Sequence, residues 1–479
     1  MKIRKLTRLK TVEQFRHYLA ELGVSLPLDE NVQSGPASEL GKALTVGGRT
    51  VANRFCVLPM EGWDSTAEGK PSELTRRRWR NFGRSGAKLI WGGEAVAVRP
   101  DGRANPRQLL INDSNVSDLA DLREELVAEH RSHYGEKGDL LVGLQLTHSG
   151  RFARPNSSEL AEAKTLYRHP VLDQRFQVDH ATSIMSDDEI NRLIDDFIYA
   201  TVLAEQAGFD FVDIKHCHGY FGHELLSSFD RPGKFGGCFE NRTRFLRDVA
   251  SGVRSECSGI GLGVRLSIFD FGPFQKDSGG LGVPSWEGER YDYAFGGDGS
   301  GLGMELEEVS RFLKLLKELG VDLMCATAGS PYYVPHIQRP AAYPPSDGYL
   351  APEDPLVGVA RLINATAELK KRHPELIVVG SGYSYLQDWL PNVAQAVIRQ
   401  GMADSIGLGR MVLSYPELPA DVLSGIPLKR RKICRTFSDC TTAPRHGFVS
   451  GCYPLDGEYK KRPEFAQLKM IKLSKQDNE

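Results

Sequence analysis

Short apolar runs alternate with longer amphipathic stretches along most of the chain, and this alternation restricts the fold more than any other feature. Eight runs read as strands: FCVLPM, AKLIWGGEAV, LVGLQLTH, FDFVDIKH, IGLGVRLSIF, VDLMCATA, LIVVGSG and DSIGLGR. Several are apolar nearly throughout, as strands are when both faces are covered. Helical patterns lie between most of them, at 186–206, 241–254, 306–319, 355–372 and 386–400. Strand then helix, eight times over, predicts an α/β fold: a parallel (β/α)₈ barrel over residues 46–427, with a doubly wound open sheet as the rival. Residues 1–45 read as an N-terminal helical extension. In it Thr11 to Leu22 sets Val12, Phe15, Tyr18 and Leu19 on one face and stops at Gly23. Two segments, 270–303 and 331–352, read as long loops over the barrel mouth. Residues 428–479 form a short tail that carries three cysteines.

Composition narrows the function. The chain has 479 residues, with 60 Lys+Arg against 62 Asp+Glu, a net charge of -2. That balance offers nothing to hold a phosphate backbone or an anionic membrane, so the expected partner is a small molecule. The eight cysteines are mostly isolated and form no disulfide framework, which suits a reducing compartment. No apolar run approaches the roughly 18 residues of a membrane span. The basic N-terminus lacks the apolar core of a secretory signal, so a cytoplasmic location is expected. Homo-oligomerisation stays open.

The chemistry-bearing residues gather at strand ends. The last two strand candidates finish in Gly380-Ser381-Gly382 and Gly407-Leu408-Gly409-Arg410. Small residues there let backbone N–H groups approach a phosphate, and Arg410 adds a charge-assisted bond. The alternative is that these glycines only turn the chain. Gln145 and His148 end the third strand, and His216, His218, Tyr220 and His223 follow the fourth. The histidines lack a clean tetrahedral zinc pattern. Arg265 lies in a buried strand, which is costly without a permanent partner: an electron-rich ligand, or an internal carboxylate such as Asp213. The glycine-rich 296–303 stretch does not follow a strand and open a helix, so it is not read as a dinucleotide site.

These residues resemble the old yellow enzyme family of FMN-dependent NADH:flavin oxidoreductases, within it the branch of 2,4-dienoyl-CoA reductase and trimethylamine dehydrogenase. The motifs NRFCVLPM, RRRWRNFGRSGAKLIWGGEAV, QLTHSGR, VDIKHCHGYFGHELLS, FGGCFENRTRF, GVRLS, VVGSGY and ADSIGLGRMVLSYPELP occur in family order. The resemblance covers the barrel alone, about residues 45 to 425. It implies FMN as cofactor and NADH or NADPH as electron donor. It implies that Pro59, Met60 and Gly62 line the flavin ring and that Gln145 and Arg265 meet its pyrimidine end. Ser381, Gly382, Gly409 and Arg410 match the FMN phosphate site. Tyr220 matches the proton donor, and His218 one member of the pair that polarises a substrate carbonyl.

Three departures from the family pattern stand out. Lys215 replaces the first histidine of that carbonyl-binding pair, and is placed either on substrate or in a structural ion pair. Glu61 follows Pro-Met where the family carries a small residue. Cys434, Cys440 and Cys452 offer three of the four thiolates a 4Fe–4S cluster needs, so a cluster is not expected and these residues are weak metal candidates. The expected activity is NAD(P)H-driven reduction of an activated alkene, with Tyr220, His218 and Lys215 as catalytic residues. The rivals are oxidation of a methylated amine, a flavin-binding protein without turnover, and a lyase with Lys215 as Schiff-base residue.

Overall fold

Eight parallel strands close on themselves in a computed structural model that describes residues 3–136, 138–179, 181 and 184–476. They are β1 (Phe55–Val57), β2 (Leu89–Ile90), β3 (Leu141–Thr147), β4 (Phe211–Ile214), β5 (Gly261–Ser267), β6 (Leu323–Thr327), β7 (Ile377–Gly380) and β8 (Ser405–Leu408). Each pairs in parallel with the next, and β8 returns to β1 with Ile406 opposite Phe55. Every apolar run contributes a strand, and closure selects the (β/α)₈ barrel over the open sheet.

The second strand is broken. After β2 the chain bulges through Trp91-Gly92-Gly93-Glu94, and Ala95–Ala97 then rejoins β3 with Ala95 opposite Gln145. Gly93 has φ 57°, and a Cβ there would strike the ring of Trp79, so the bulge requires glycine. It lets Trp91 face the strand-four side of the barrel while Glu94 reaches Arg78.

The barrel interior holds a cluster that includes Cys56, Leu58, Trp91, Phe211, Cys325 and Val379. A hairpin of Leu44–Val46 and Arg49–Val51 adds Leu44, Val46 and Val51 to this cluster and plugs the N-terminal end of the barrel. The larger core lies between the strands and the surrounding helices.

The expected N-terminal helix spans Val12–Glu21, with the Thr11 hydroxyl accepting from the Gln14 N–H. Phe15 stacks on Trp389 at 5.2 Å and Tyr18 donates to Asp354, so the extension is fastened to the barrel. Some expectations need correction. The 241–254 helix is two helices, Phe239–Arg242 and Arg244–Glu256. The 386–400 helix is preceded by a kinked 3₁₀ segment, Tyr383–Trp389, and runs from Leu390 to Arg399. The 270–303 loop contains a small antiparallel hairpin, Phe274–Lys276 with Gly282–Pro284. Three-residue strands are too short to leave a periodic signal. Among the described residues no helix is long and apolar enough to cross a membrane.

The tail folds back over the barrel mouth. Asp456 accepts two hydrogen bonds from Arg77 at 2.9 Å, and the Ser450 N–H donates to the Gly62 carbonyl at 2.6 Å. Beneath that contact Arg78 donates to Asp64 at 2.7 and 2.9 Å and pairs with Glu94. Against the upward push of burial, Arg78 holds Asp64 below the carboxylate range, while burial pushes Glu94 up to about 7. One guanidinium thus anchors both the 61–64 turn and the strand-two bulge. Arg78→Met leaves two buried carboxyls without their cation and is expected to cost about 3–5 kcal/mol. Chemical denaturation of variant and wild type at neutral pH measures it.

Candidate active site

Four adjacent strands build the floor of the site. Gln145 on β3 stands opposite Asp213 on β4, and Arg265 on β5 opposite Cys325 on β6. Asp213 is fully buried and accepts three hydrogen bonds: from Trp91 Nε1 at 2.6 Å, from Gln145 Nε2 at 2.6 Å and from the Arg265 backbone N–H at 2.7 Å. Burial raises its carboxyl above the usual range, and these donors pull against that shift. Gln145 Nε2 is committed to Asp213 Oδ2, which leaves Oε1 as the group the side chain can offer.

The Arg265 side chain makes no ion pair with Asp213. Its Nε has no hydrogen-bond partner, and no carboxylate pairs with it among the described residues. Against burial, nearby Cys325, Cys217, Asp213 and Cys56 hold its pKa up, and burial pushes the Cys325 and Cys217 thiols up to about 12. Arg265 is therefore a buried cation facing a cleft of about 260 Å³ at the C-terminal ends of the strands.

The chain leaving β4 supplies the next layer. His218 has φ 67° and Gly219 φ 80°, two left-handed residues in succession. This sharp turn brings Tyr220 back to the cleft as the residue preceding the Phe221–Leu226 helix. A Cβ at Gly219 would crowd Phe152 and Tyr333, so only glycine fits. The Tyr220 hydroxyl lies 2.7 Å from that of Tyr332, and burial, assisted by Glu61, holds Tyr220 well above 10. Burial, with Arg265 and Lys215 nearby, holds His218 well below 6.5, so its ring is neutral. Its Nε2 lies 3.2 Å from Gln338 Nε2 and 3.4 Å from Thr327 Oγ1.

Lys215 and Glu61 answer one another. The Lys215 ammonium lies 3.7 Å from Glu61 Oε1 and 3.8 Å from the centre of the Tyr220 ring. Burial lowers its pKa from the usual lysine value, and Glu61 opposes that shift. His216 points away from the cleft, as strand alternation requires. It packs against Phe245 and Phe312, and its Nδ1 lies 2.7 Å from the Ile214 carbonyl. His223 accepts the Gly219 N–H at 2.9 Å.

Pro59, Met60, Ser381, Gly382, Gly409 and Arg410 all line the cleft. Gly62 does not: its N–H donates to Glu94 at 3.0 Å, and a Cβ there would enter the Arg78 guanidinium. Sequence reasoning missed Gln338, Arg339 and Arg445. The first two belong to the loop after β6, which was expected at the mouth; Arg445 comes from the tail and has no local signal. Cys434, Cys440 and Cys452 line a small adjoining cavity of about 20 Å³ with Arg410 and Thr436, and Cys440 and Arg410 line the cleft as well. That is room for one water-sized molecule and does not fit a four-iron cluster. Among the described residues no group of three or more His, Cys, Asp or Glu side chains is arranged to hold a metal ion.

The cleft does suit FMN. Arg410 Nη1 and Arg265 Nε are buried without hydrogen-bond partners and both residues line the cleft, which suits a phosphate and an electron-rich ring. At Gly409 a Cβ would stand 3.1 Å from Met60 Sδ, inside the space a ligand would fill.

The sequence profile of the NADH:flavin oxidoreductase / NADH oxidase family matches residues 39–280. The chain belongs to that family. It is an FMN-dependent NAD(P)H oxidoreductase of the old yellow enzyme type. The NADPH dehydrogenase of Bacillus subtilis is 27% identical over 387 residues, which cover 79% of this chain and 93% of that protein. Among solved structures, an old yellow enzyme homologue from Zymomonas mobilis aligns with a TM-score of 0.55 at 21% identity, covering 81% of this chain and 94% of that one. A 2-naphthoyl-CoA reductase aligns with a TM-score of 0.65 at 18% identity, covering 88% of this chain and 57% of that one. This oxidoreductase therefore spans little more than half the length of that reductase.

Replacing Asp213 tests the floor of the site. Asp213→Leu strands three buried donors and is expected to cost about 3 kcal/mol or more. The shift in denaturation midpoint reads it.

Proposed function

We propose that this oxidoreductase uses NADH or NADPH to reduce an alkene conjugated to a carbonyl, with Tyr220 as the proton donor. The observation that carries this reading is the Tyr220–Tyr332 hydroxyl pair at 2.7 Å, held protonated by burial, beside the neutral His218 and above the Arg265 floor. FMN, when bound, supplies the hydride chemistry between nicotinamide and substrate.

The chain's own residues supply binding, orientation and a proton. With FMN in the cleft, Pro59 and Met60 would line the flavin ring, Gln145 Oε1 and Arg265 would meet its pyrimidine end, and Ser381, Gly382, Gly409 and Arg410 would hold the phosphate. His218, held by Gln338 and Thr327, presents a neutral imidazole to the substrate carbonyl and polarises it. Tyr220 then delivers its proton to the α-carbon. Lys215 sits on the face of that ring and stabilises the phenolate that forms as the proton leaves. It also balances Glu61, whose charge keeps Tyr220 protonated beforehand.

Oxidation of a methylated amine is the weaker reading. The features that suit a cation are engaged internally: Glu61 is paired with Lys215, and Lys215 occupies the Tyr220 ring. Arg265, Arg339 and Arg410 line the cleft with no carboxylate partner among the described residues, a field that repels a cationic substrate.

Tyr220→Phe is expected to slow alkene reduction about 10²–10⁴-fold, the usual worth of a positioned acid. Bleaching of the bound flavin by NADPH alone, which needs no proton from Tyr220, is expected to survive. Stopped-flow absorbance separates the two half-reactions. Alkene reduction at the wild-type rate in this variant removes Tyr220 from the mechanism.

A further inference from the structure

A carboxyl group that the mechanism above does not use lies behind the tyrosine pair. Asp270, in the loop after β5, is 2% exposed, and no Lys or Arg pairs with it among the described residues. Its Oδ2 accepts from the Tyr333 hydroxyl, and its Oδ1 accepts from the Phe271 N–H at 2.8 Å. Tyr333 is the neighbour of Tyr332, so this carboxyl grips the arm that carries one hydroxyl of the pair. The Tyr333 carbonyl in turn accepts the Phe274 N–H at 2.8 Å, and the Gly329 N–H donates to the Phe269 carbonyl at 3.0 Å. The loops after β5 and β6 are thus laced together on both sides of Asp270.

The arm that carries Tyr220 ends at the same oxygen. His223 Nδ1 accepts the Gly219 N–H at 2.9 Å. A backbone N–H only donates, so the His223 proton sits on Nε2. Burial, with His216 nearby, pulls His223 down to about 3, so the ring is neutral. Its Nε2 has no hydrogen-bond partner, and 4.0 Å away it faces Asp270 Oδ2. A buried N–H without a partner is costly, and an ionised carboxylate at that distance offsets part of the cost where a neutral carboxyl offsets less. Asp270 therefore stands between the left-handed turn at Gly219, which delivers Tyr220, and the Tyr333 hydroxyl beside Tyr332.

We propose that Asp270 is the positioning residue for proton delivery: through His223 it holds the 218–220 turn, through Tyr333 it holds the Tyr332 arm, and its ionised form holds both more tightly than its protonated form. The inference rests on the alkene-reductase reading and deepens it by naming what sets the donor pair. Burial pushes the Asp270 carboxyl up to about 7, against the pull of the Tyr333 hydroxyl and the Phe271 N–H. The groups that face it do not titrate near neutrality. Burial holds Tyr333, Tyr291 and Tyr167 well above 10 and keeps His223 and His169 neutral. Arg151, the cation over the Tyr167 ring, is paired with Asp173 and Glu224. Raising the pH through about 7 thus ionises Asp270 and tightens both arms.

The test is the pH dependence of flavin reoxidation. The NADPH-reduced holoprotein is mixed with excess cyclohexenone and followed by stopped-flow absorbance from about pH 5.5 to 8.5, for wild type, Asp270→Asn and Tyr333→Phe. The wild-type rate is expected to rise about tenfold or more through about pH 7. Asp270→Asn is expected to lose that rise. In Tyr333→Phe the carboxylate has one donor fewer, and the rise is expected to move up by about one pH unit. Lys215, Glu61 and His218 face the pair in all three proteins, so the difference between the profiles reads Asp270. A wild type without the rise overturns the proposal. So does an Asp270→Asn variant that is slowed equally at every pH and keeps the rise, the result of a merely structural role. If Asp270→Asn does not retain FMN, Tyr333→Phe decides: a rise that moves up supports the proposal and an unmoved one overturns it. A wild type that reduces no enone removes the alkene-reductase reading, and amide hydrogen exchange of the 217–224 segment then decides the positioning role. Protection of the Gly219 N–H that grows through about pH 7, beyond the intrinsic pH dependence of exchange, supports it, and protection that does not change overturns it.

Discussion

One buried carboxylate organises the site. Asp213 draws donors from the strand-two bulge, from β3 and from β5, so the sides of three neighbouring elements converge on a single group. Its acceptors are engaged by Trp91, Gln145 and a backbone N–H. It therefore orients Gln145, holds the Trp91 bulge in place and acts on the Arg265 guanidinium without a direct side-chain ion pair. A salt bridge between Arg265 and Asp213 would have been the simpler way to bury both charges. Its absence is what keeps a cation exposed to the cleft floor, where an electron-rich ring gains most from it.

The wall above the floor follows the same rule of partial compensation. Glu61 and Lys215 are two departures from the family pattern at sequence positions far apart, yet they form one feature, an ion pair against the face of Tyr220. Each is hard to account for alone. A carboxylate near a flavin opposes reduction, and a buried lysine in place of a histidine loses a neutral donor. Together they cancel in charge and leave a tyrosine flanked by both signs, which in the proposed mechanism keeps it protonated at rest and assists it as its proton departs.

The strands were legible because parallel strands buried on both faces read as continuous apolar runs, and the ordered motifs then identified the residues at their ends. The closure of the barrel was not legible in strand count and rests on Ile406 meeting Phe55. The motif sets Gly62 beside the flavin ring, but it marks only sequence neighbours and cannot show that the bulge at Gly93 brings Glu94 onto the Gly62 N–H. The role of the tail was invisible for a related reason. Arg445 and Ser450 reach the cleft through contacts with Pro331 and Gly62, far away in sequence, and no periodicity encodes such contacts. The Thr436 hydroxyl accepts the Ala342 N–H at 3.0 Å, so a residue between Cys434 and Cys440 fastens the tail to the loop after β6.

The central claim is that electrons enter from NAD(P)H and leave to an alkene conjugated to a carbonyl. Anaerobic absorbance spectroscopy of the purified holoprotein tests it most directly. The account predicts that the flavin band bleaches on adding NADPH or NADH and returns in full when an enone is added, with the saturated ketone as product. A flavin that resists both nucleotides, or one that bleaches and stays bleached across a panel of neutral and carboxylate-bearing enones, contradicts it.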